Sequence, residues 1–207
     1  MRTNVYIDGF NLYYGALRGT AYKWLNPWVM CQALLPQHQI VELKYFTANV
    51  SSRPGDPGAP TRQQAYLRAL ATLPNTQIVY GHFLTNEIWM PEAGCPAGQQ
   101  RHVKVIKTEE KGSDVNLAAH LLRDAYSSSA DAYVLVTNDS DLAEPIRIVR
   151  QELNARVGVL NPHRKPAHKL RKVASFLKPI RKGVLGASQF ATTLHDANGT
   201  ITKPASW

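Results

Sequence analysis

Short apolar runs of strand length alternate along the chain with segments whose apolar residues recur at helical spacing. The runs predict five main strands, at residues 5–7, 40–50, 76–84, 132–136 and 157–160. The intervening segments predict helices that begin after Asp8, at Pro27, at Pro60, at Asp114 and at Pro145. Strands that alternate with helices are typical of three-layer α/β folds. We therefore expect a mostly parallel sheet of about five strands, flanked by helices.

Three of these helices allow more detailed predictions. Asn26 followed by Pro27 is typical of an N-cap and the first helical residue, and predicts a helix to about residue 35. Pro145 is likewise predicted to be the first residue of its helix. The third helix is predicted to bury the apolar residues that repeat at helical spacing after Asp114, namely Val115, Ala118, Ala119, Leu122 and Tyr126.

Two segments do not fit the alternation. Residues 85–100 are interrupted by prolines and glycines, so we expect an irregular insertion before extended structure resumes at residues 103–106. Beyond Gly183 the chain is polar and weakly patterned, which predicts flexibility. The expected organisation is one domain over residues 1–182 and a flexible C-terminal tail over residues 183–207.

Length and composition fit a single folded domain, since 207 residues suffice to bury a core. No apolar run approaches the ~20 residues of a membrane span, and the N-terminus lacks the apolar segment of a signal peptide. We therefore expect a cytoplasmic protein with no membrane partner. Cys31 and Cys95 form no C-x-x-C pair, and a zinc site of Cys95 with His82 and His102 matches no common ligand spacing.

The net charge of +9 arises entirely in the last quarter of the chain. Residues 1–152 carry equal numbers of basic and acidic residues, whereas residues 153–207 carry ten Lys or Arg against the single acid Asp196. Eight of the ten lie between Arg164 and Lys182. Such a cluster favours a polyanion as partner, although a solvated basic tail would have the same composition.

Acidic residues follow or precede the predicted elements at positions that bring them together. Asp8 follows the first strand, Asp139 and Asp141 follow the fourth, and Asp114 opens a helix just after Glu110. The carboxyl ends of parallel strands meet at one edge of a sheet, where ligands bind. Carboxylates that converge there repel each other unless a cation joins them, so the pattern predicts a divalent metal site.

Each acid also has an ordinary structural explanation. Asp114 would complement the dipole of its own helix or cap it. Asp139 and Asp141 are typical turn and N-cap residues, and Asp8 before Gly9 is typical of a turn. The prediction of a metal site therefore depends on the coincidence of all these acids at one sheet edge.

Neighbouring polar residues extend the predicted site. Asn11 lies one helical turn after Asp8, where it would orient a water, hold Asp8 or cap the helix. Thr137 would donate its hydroxyl to a carboxylate or a phosphate. Lys111, beside a glycine, would contact a phosphate, and Glu110 would be a further ligand or would pair with a neighbouring lysine. Candidates for stacking on single-stranded bases are Tyr13, Tyr14, Trp24 and Trp28.

Three motifs, in this order along the chain, resemble those of one family. They are Tyr6-Ile7-Asp8-Gly9-Phe10-Asn11-Leu12, Glu110-Lys111-Gly112-Ser113-Asp114-Val115, and Val136-Thr137-Asn138-Asp139-Ser140-Asp141-Leu142 followed by Pro145. These motifs resemble NYN domains, a branch of the PIN-like nuclease superfamily, and span most of residues 4–180. The resemblance implies a Rossmann-like, PIN-type fold and activity on RNA. It implies Mg²⁺ or Mn²⁺ ligands at Asp8, Asp114, Asp139 and Asp141. One departure is Asn138, where the family pattern has glycine.

We therefore expect a metal-dependent endoribonuclease. Its predicted catalytic residues are the four metal-ligand aspartates and Asn11. Its predicted RNA contacts are Lys111, Thr137, Arg164, Lys165, Lys169, Arg171 and Lys172. The alternative is a non-catalytic nucleic-acid-binding or regulatory module with the same acidic pocket. A phosphatase is disfavoured, because the second aspartate usual two positions after an aspartyl nucleophile is Phe10 here. The sequence leaves open the RNA class, DNA as a substrate, the number of metal ions and the oligomeric state, with a homodimer among the options.

Overall fold

The computed structural model describes residues 1–96, 98 and 100–207. Its helices are α1 (Gly9–Leu12, continued as a π-helix over Tyr13–Leu17), α2 (Pro27–Leu34), α3 (Ala59–Ala71), α4 (Ser113–Tyr126), α5 (Ala143–Gln151), α6 (His168–Val173) and α7 (Lys182–Ala187). Its strands are β1 (Arg2–Asp8), β2 (Gln39–Thr47), β3 (Thr76–Tyr80), β4 (His82–Pro91), β5 (His102–Lys111), β6 (Ala132–Val136), β7 (Arg156–Asn161), β8 (Phe176–Pro179), β9 (Thr193–Asp196) and β10 (Gly199–Thr202).

Six strands form a central parallel sheet in the order β3-β2-β1-β6-β7-β8. The chain builds outward from β1 in one direction and from β6 in the other. The direction of the strand order therefore reverses between β1 and β6. In such sheets a crevice that binds ligands opens beside the reversal, at the carboxyl ends of the strands. The predicted three-layer α/β fold is confirmed, with β8 as a sixth strand that sequence analysis did not predict.

The two faces of the sheet bury separate apolar layers. Along β1, Val5 and Ile7 face one layer and Tyr6 faces the other, because successive side chains of a strand point to opposite faces. The first layer is covered by α1, α2 and α3, and the second by α4, α5 and α6. Both faces of the central strands are thus covered, which explains why β6 is apolar and buried at every position.

A buried ion pair connects α4 to the second face of the sheet. The ammonium of Lys44 on β2 contacts a carboxylate oxygen of Asp124 on α4, and both side chains are almost fully buried. Tyr6 donates a hydrogen bond of 2.7 Å to the same carboxylate, and Arg123 donates to its other oxygen. Since each buried charge has a partner, the network fixes the position of α4 on the sheet.

The segment predicted as one strand over residues 76–84 and an insertion over residues 85–100 is folded differently. The chain turns at Gly81, and β4 pairs in antiparallel register with β5 to form a two-stranded arm. A side chain at Gly81 would come within 2.3 Å of a Glu110 carboxylate oxygen, so this turn requires glycine. The described residues between β4 and β5 are irregular, and Ala97 and Gln99 of the predicted insertion lie outside the described residues. Cross-strand pairing stabilises the arm, and periodicity within one strand does not reveal it.

Two helix predictions also need correction. The helix α4 buries Leu117, Leu121 and Ala125, whereas the predicted Val115 and Tyr126 are 72% and 82% exposed. Two apolar stripes run along this helix, and contact with the sheet selects the leucine stripe. The helix α5 follows a 3₁₀ turn at Ser140–Leu142, so Pro145 is its third residue and not its first. The start of α2 agrees with prediction, since Asn26 accepts a hydrogen bond of 3.1 Å from the backbone N–H of Val29.

The predicted flexible tail is also folded. Residues 183–207 include most of α7 and the hairpin of β9 and β10, and they bury Leu185, Phe190 and Ile201. Trp207 packs edge-on against Trp24 and Tyr66 of the first layer, with ring centroids 6.3 and 5.9 Å apart. The apolar residues of this segment are too widely spaced for periodicity to identify. In the part of the chain described here, every helix is too short or too polar to cross a bilayer.

Candidate active site

Asp8 ends β1 at the switch point of the sheet and is only 5% exposed. One of its carboxylate oxygens accepts a hydrogen bond of 2.8 Å from the backbone N–H of Asn11, so it caps α1. The other oxygen accepts a hydrogen bond of 3.1 Å from the hydroxyl of Thr137, which follows β6. The two central strands thus hold this carboxylate in one orientation.

The pKa values of the acids indicate that their charges influence one another. Burial raises the pKa of Asp8 to about 7, and the neighbouring Asp114 and Asp139 carboxylates add to this increase. The hydrogen bonds that Asp8 accepts from Asn11 and Thr137 lower its pKa but do not outweigh the increase. Burial raises the pKa of Asp114 as well, and the charges of Asp139, Glu110 and Asp141 add to this effect. The acids predicted from sequence therefore share one electrostatic neighbourhood.

Among the described residues, none of these five acids forms a salt bridge. Glu110 instead accepts hydrogen bonds from the backbone N–H and hydroxyl of Ser113, at 3.1 and 2.7 Å, and thereby holds the start of α4. Lys107 and Lys111 both pair with Glu109, so the predicted pairing of Glu110 with either lysine is wrong. Lys111 is exposed on the arm.

The loop after β6 is held by a chain of amide hydrogen bonds. The backbone N–H of Asn138 donates to the side chain of Asn11 at 2.9 Å, so Asn11 ties α1 to this loop. The side chain of Asn138 accepts from the backbone N–H of Ala167 at 2.7 Å and donates to the carbonyl of Lys165 at 3.1 Å. A glycine could not make these side-chain contacts. Asn138 thus anchors the basic loop before α6 beside the acids, a role that sequence analysis missed.

Asp139 and Asp141 continue this loop. Asp139 accepts a hydrogen bond of 2.9 Å from the backbone N–H of Asp141 and caps the 3₁₀ turn, as its alternative explanation predicted. Its own N–H donates to the hydroxyl of Thr137 at 3.0 Å. Asp139 is half-buried and Asp141 is exposed. Asp139 therefore caps the 3₁₀ turn and also belongs to the acidic cluster.

The donor atoms suit a hard divalent cation. Carboxylate oxygens are the ligands that Mg²⁺ and Mn²⁺ prefer, and each oxygen of Asp8 has accepted only one of the hydrogen bonds that it can accept. Within the described residues, however, no three His, Cys, Asp or Glu side chains are arranged to hold an ion. The acids thus fit a metal by their chemistry and shared location, and their side chains would have to turn toward one another to bind it.

A cavity of about 880 Å³ opens beside the acids. Its acidic and amide lining residues include Asp8, Asn11, Asp56, Glu110, Asp114 and Asp139. Its aromatic lining residues are Phe10, Tyr13, Tyr14, Tyr45, Tyr66, Phe83 and Trp207. Basic residues also line it, namely Arg18, Lys23, Arg53, Arg62 and His163. Of the predicted stacking residues only Tyr13 and Tyr14 reach the cavity, because Trp24 is fully buried in the core and Trp28 packs against it.

Five of the seven predicted RNA contacts lie on one segment, whereas Lys111 ends β5 on the arm and Thr137 follows β6. Arg164 and Lys165 belong to the loop that Asn138 anchors, and the other three, Lys169, Arg171 and Lys172, lie on α6. All five side chains are exposed. Among the described residues, none of them forms a salt bridge. Among the described residues, the positive charge of the basic cluster is thus not balanced by acidic side chains. The cluster begins at the edge of the sheet where the acids lie.

The sequence model of the NYN domain family matches residues 2–180, which include every acid of the site. The chain belongs to the NYN domain family. Members of this family are generally nucleases, so the match supports a nuclease-like, hydrolytic function in coarse terms. The predicted family assignment is confirmed, and the PIN-like three-layer fold agrees with it.

Two further comparisons place this NYN domain among known proteins. The whole chain is 33% identical to 6-hydroxy-3-succinoylpyridine 3-monooxygenase HspA of Pseudomonas putida, in an alignment that covers 75% of that protein. The solved structure of a protein of unknown function from Vibrio parahaemolyticus superposes with a TM-score of 0.54, at 17% identity over 87% of this chain and 93% of that one. The likeness to the Vibrio parahaemolyticus structure supports the fold alone. The likeness to the Pseudomonas putida monooxygenase introduces a reaction class other than hydrolysis.

Proposed function

We propose that this protein is a metal-dependent ribonuclease that cleaves RNA internally. The observation that carries the proposal is the group of acids without salt-bridge partners at the switch point of an NYN domain. A charge-balanced site would need no cation, whereas this one gains stability from a divalent ion. The ligands would be Asp8, Asp114, Asp139 and Asp141, with Mg²⁺ or Mn²⁺ as the ion.

A bound divalent ion supplies positive charge for a phosphate and makes a water more acidic. The protein's own residues set the geometry. Thr137 keeps the Asp8 carboxylate in place, and Asn11 keeps the loop of Asp139 close to α1. Both contacts are made by groups on the sheet and on α1, so the Asp8 carboxylate and the backbone of the Asp139 loop are held in place, and metal binding would require only that the other acidic side chains rotate.

The basic loop and α6 supply the proposed path for RNA. Arg164 and Lys165 are exposed next to the acidic edge, because Asn138 holds the backbone of this loop. Phosphates would bind to these side chains and to those of α6, while the acids act on one phosphate of the strand. The affinity expected from such contacts falls with salt and depends little on base sequence.

The test is cleavage of a labelled RNA of mixed sequence with Mg²⁺, Mn²⁺ or chelator, by the natural protein and by Asp139→Asn. We expect metal-dependent cleavage by the natural protein and none by the variant, because asparagine keeps the cap on the 3₁₀ turn but loses the charge. Thermal unfolding checks that the variant is folded. RNA binding without cleavage by the natural protein would favour the non-catalytic module instead.

A second candidate function is the oxygenation of a small aromatic ring. It is favoured by the similarity of the whole chain to 6-hydroxy-3-succinoylpyridine 3-monooxygenase HspA, over 75% of that protein, and by the aromatic residues of the cavity beside the acids. Incubation with 6-hydroxy-3-succinoylpyridine and a reduced nicotinamide or flavin, with measurement of oxygen uptake and product mass, tests this candidate. Product formation that survives Asp139→Asn, with no RNA cleavage by the natural protein, would replace the nuclease proposal.

A further inference from the structure

We propose that the aromatic part of the cavity is a binding subsite for one planar heteroaromatic ring that carries an anionic group. The ring would pack against Phe10, Phe83 and Trp207, and the anion would bind to Arg18, Lys23 and Arg53. The inference deepens the proposed function, because the ring would belong to the molecule on which the acids act. The ring's source is either a nucleotide of RNA or a small heteroaromatic acid.

The aromatic wall begins two residues after the first acid. Phe10 packs edge-on against Phe83 of the arm, with ring centroids 5.7 Å apart. Gly9 lets the Tyr45 ring approach, since a side chain there would come within 2.6 Å of it. Tyr45 is almost fully buried, whereas Phe10, Phe83 and Trp207 are only partly buried and face the cavity. Partly exposed aromatic faces around one cavity are the surfaces on which planar rings bind.

The basic residues of the cavity have charge available for a ligand. Arg62 pairs with Asp56, but among the described residues Arg18, Lys23 and Arg53 form no salt bridge. The Arg18 guanidinium lies 5.4 Å from the centroid of the Tyr14 ring, on the aromatic wall. Three cations without counter-ions in a concave site attract an anion.

The site acids of the cavity and its unpaired bases do not neutralise each other. Asp8, Glu110, Asp114 and Asp139 line the same cavity as Arg18, Lys23 and Arg53, and none of the salt bridges of the described residues joins one of these sets to the other. The bases are thus available for a ligand's anion while the acids remain available for a metal. The volume of about 880 Å³ exceeds that of one ring and accommodates a ligand the size of a mononucleotide.

Titration calorimetry in chelator with two pairs of probes tests the subsite. The pairs are nicotinate against nicotinamide and adenosine monophosphate against adenosine, so each pair differs by an anionic group. We expect the anionic member of at least one pair to bind about tenfold more tightly than its neutral partner. A preference for the nucleotide identifies RNA as the source of the ring, and a preference for nicotinate identifies a small acid.

The variant Arg53→Gln should abolish most of the preference for the anionic probe, and Phe83→Leu should weaken both members of a pair. Arg181→Gln is the matched control, because it removes the same charge at an exposed position outside the cavity. These measurements use chelator and no RNA, so failure of the nuclease proposal would not be mistaken for failure of this one. Absence of binding by all probes, or equal binding within both pairs, would overturn the subsite.

Discussion

At the scale of single residues, Thr137 shows how the site depends on contacts that the acids themselves do not reveal. Its hydroxyl donates to Asp8 and accepts from the backbone N–H of Asp139, so one buried group joins two proposed ligands. The sequence predicted the acids because each follows a strand or opens a helix. It assigned Thr137 only a general hydroxyl role, and it gave no role to Asn138, because both act through contacts between distant segments.

We predict that Thr137→Val lowers the rate of RNA cleavage at least tenfold, because residues that orient metal ligands typically contribute about 10- to 100-fold. Unfolding free energy should fall by about 1–3 kcal/mol, since Asp8 and the N–H of Asp139 lose a buried partner. Thr137→Ser keeps the hydroxyl and should retain most activity. Full activity in Thr137→Val with loss of activity in Thr137→Ser would show that packing of the methyl group, and not the hydrogen bond, matters.

At the scale of elements, local signals predicted most of the sheet but not the pairing of the arm. The strands β1, β6 and β7 are apolar and buried, so their runs identify them directly. The arm of β4 and β5 depends on pairing between residues that are 11 to 29 positions apart, and it mixes polar with apolar positions. Burial of α4 was mispredicted for a related reason: its inner face includes the charged Asp124, whose partner Lys44 lies on β2.

We predict that Lys44→Met destabilises the protein by about 3–5 kcal/mol, because the buried Asp124 would lose its buried cation and keep only the more exposed Arg123. Urea unfolding measures the change. Replacing both partners, in Lys44→Met with Asp124→Leu, should recover much of the lost stability, because two apolar side chains need no counter-ion. A double variant that is no more stable than Lys44→Met would mean that the Tyr6 and Arg123 contacts, and not the ion pair, dominate this cluster.

The same cluster predicts a loss of stability in acid. Burial alone would raise the pKa of Asp124, but hydrogen bonds from Lys44, Tyr6 and Arg123 outweigh it and lower that pKa below its usual value. A carboxyl group with a lowered folded pKa stabilises the protein above its unfolded pKa of about 4, and this contribution is lost as pH falls through the folded pKa. Urea unfolding from pH 6 to pH 2 should show this loss, and Asp124→Asn should show a smaller pH dependence.

At the scale of the whole molecule, the fold brings acidic and basic residues that are distant in the sequence to one edge of the sheet. The acids lie where the parallel strands end, and the basic loop of Arg164 and Lys165 lies at the same edge. Arg171 and Lys172 lie in the last turn of α6 and extend the basic cluster beyond this loop. The C-terminal segment adds Trp207 to the cavity, which no local pattern predicted because its contacts with Trp24 and Tyr66 span most of the chain.

This arrangement predicts how charge controls RNA binding. Neutralising Arg164 and Lys165 with glutamine should weaken binding and reduce the slope of log affinity against log salt by about 1.4, since each phosphate contact to a single strand contributes about 0.7. Arg2→Gln with Arg156→Gln is the matched control, because these exposed residues begin β1 and β7 at the opposite edge of the sheet. Filter binding at several salt concentrations measures both slopes. The control removes the same net charge, so an equal change in both slopes would indicate that only the overall charge attracts RNA. An unchanged slope in the variant of Arg164 and Lys165 would exclude the basic loop from the RNA path.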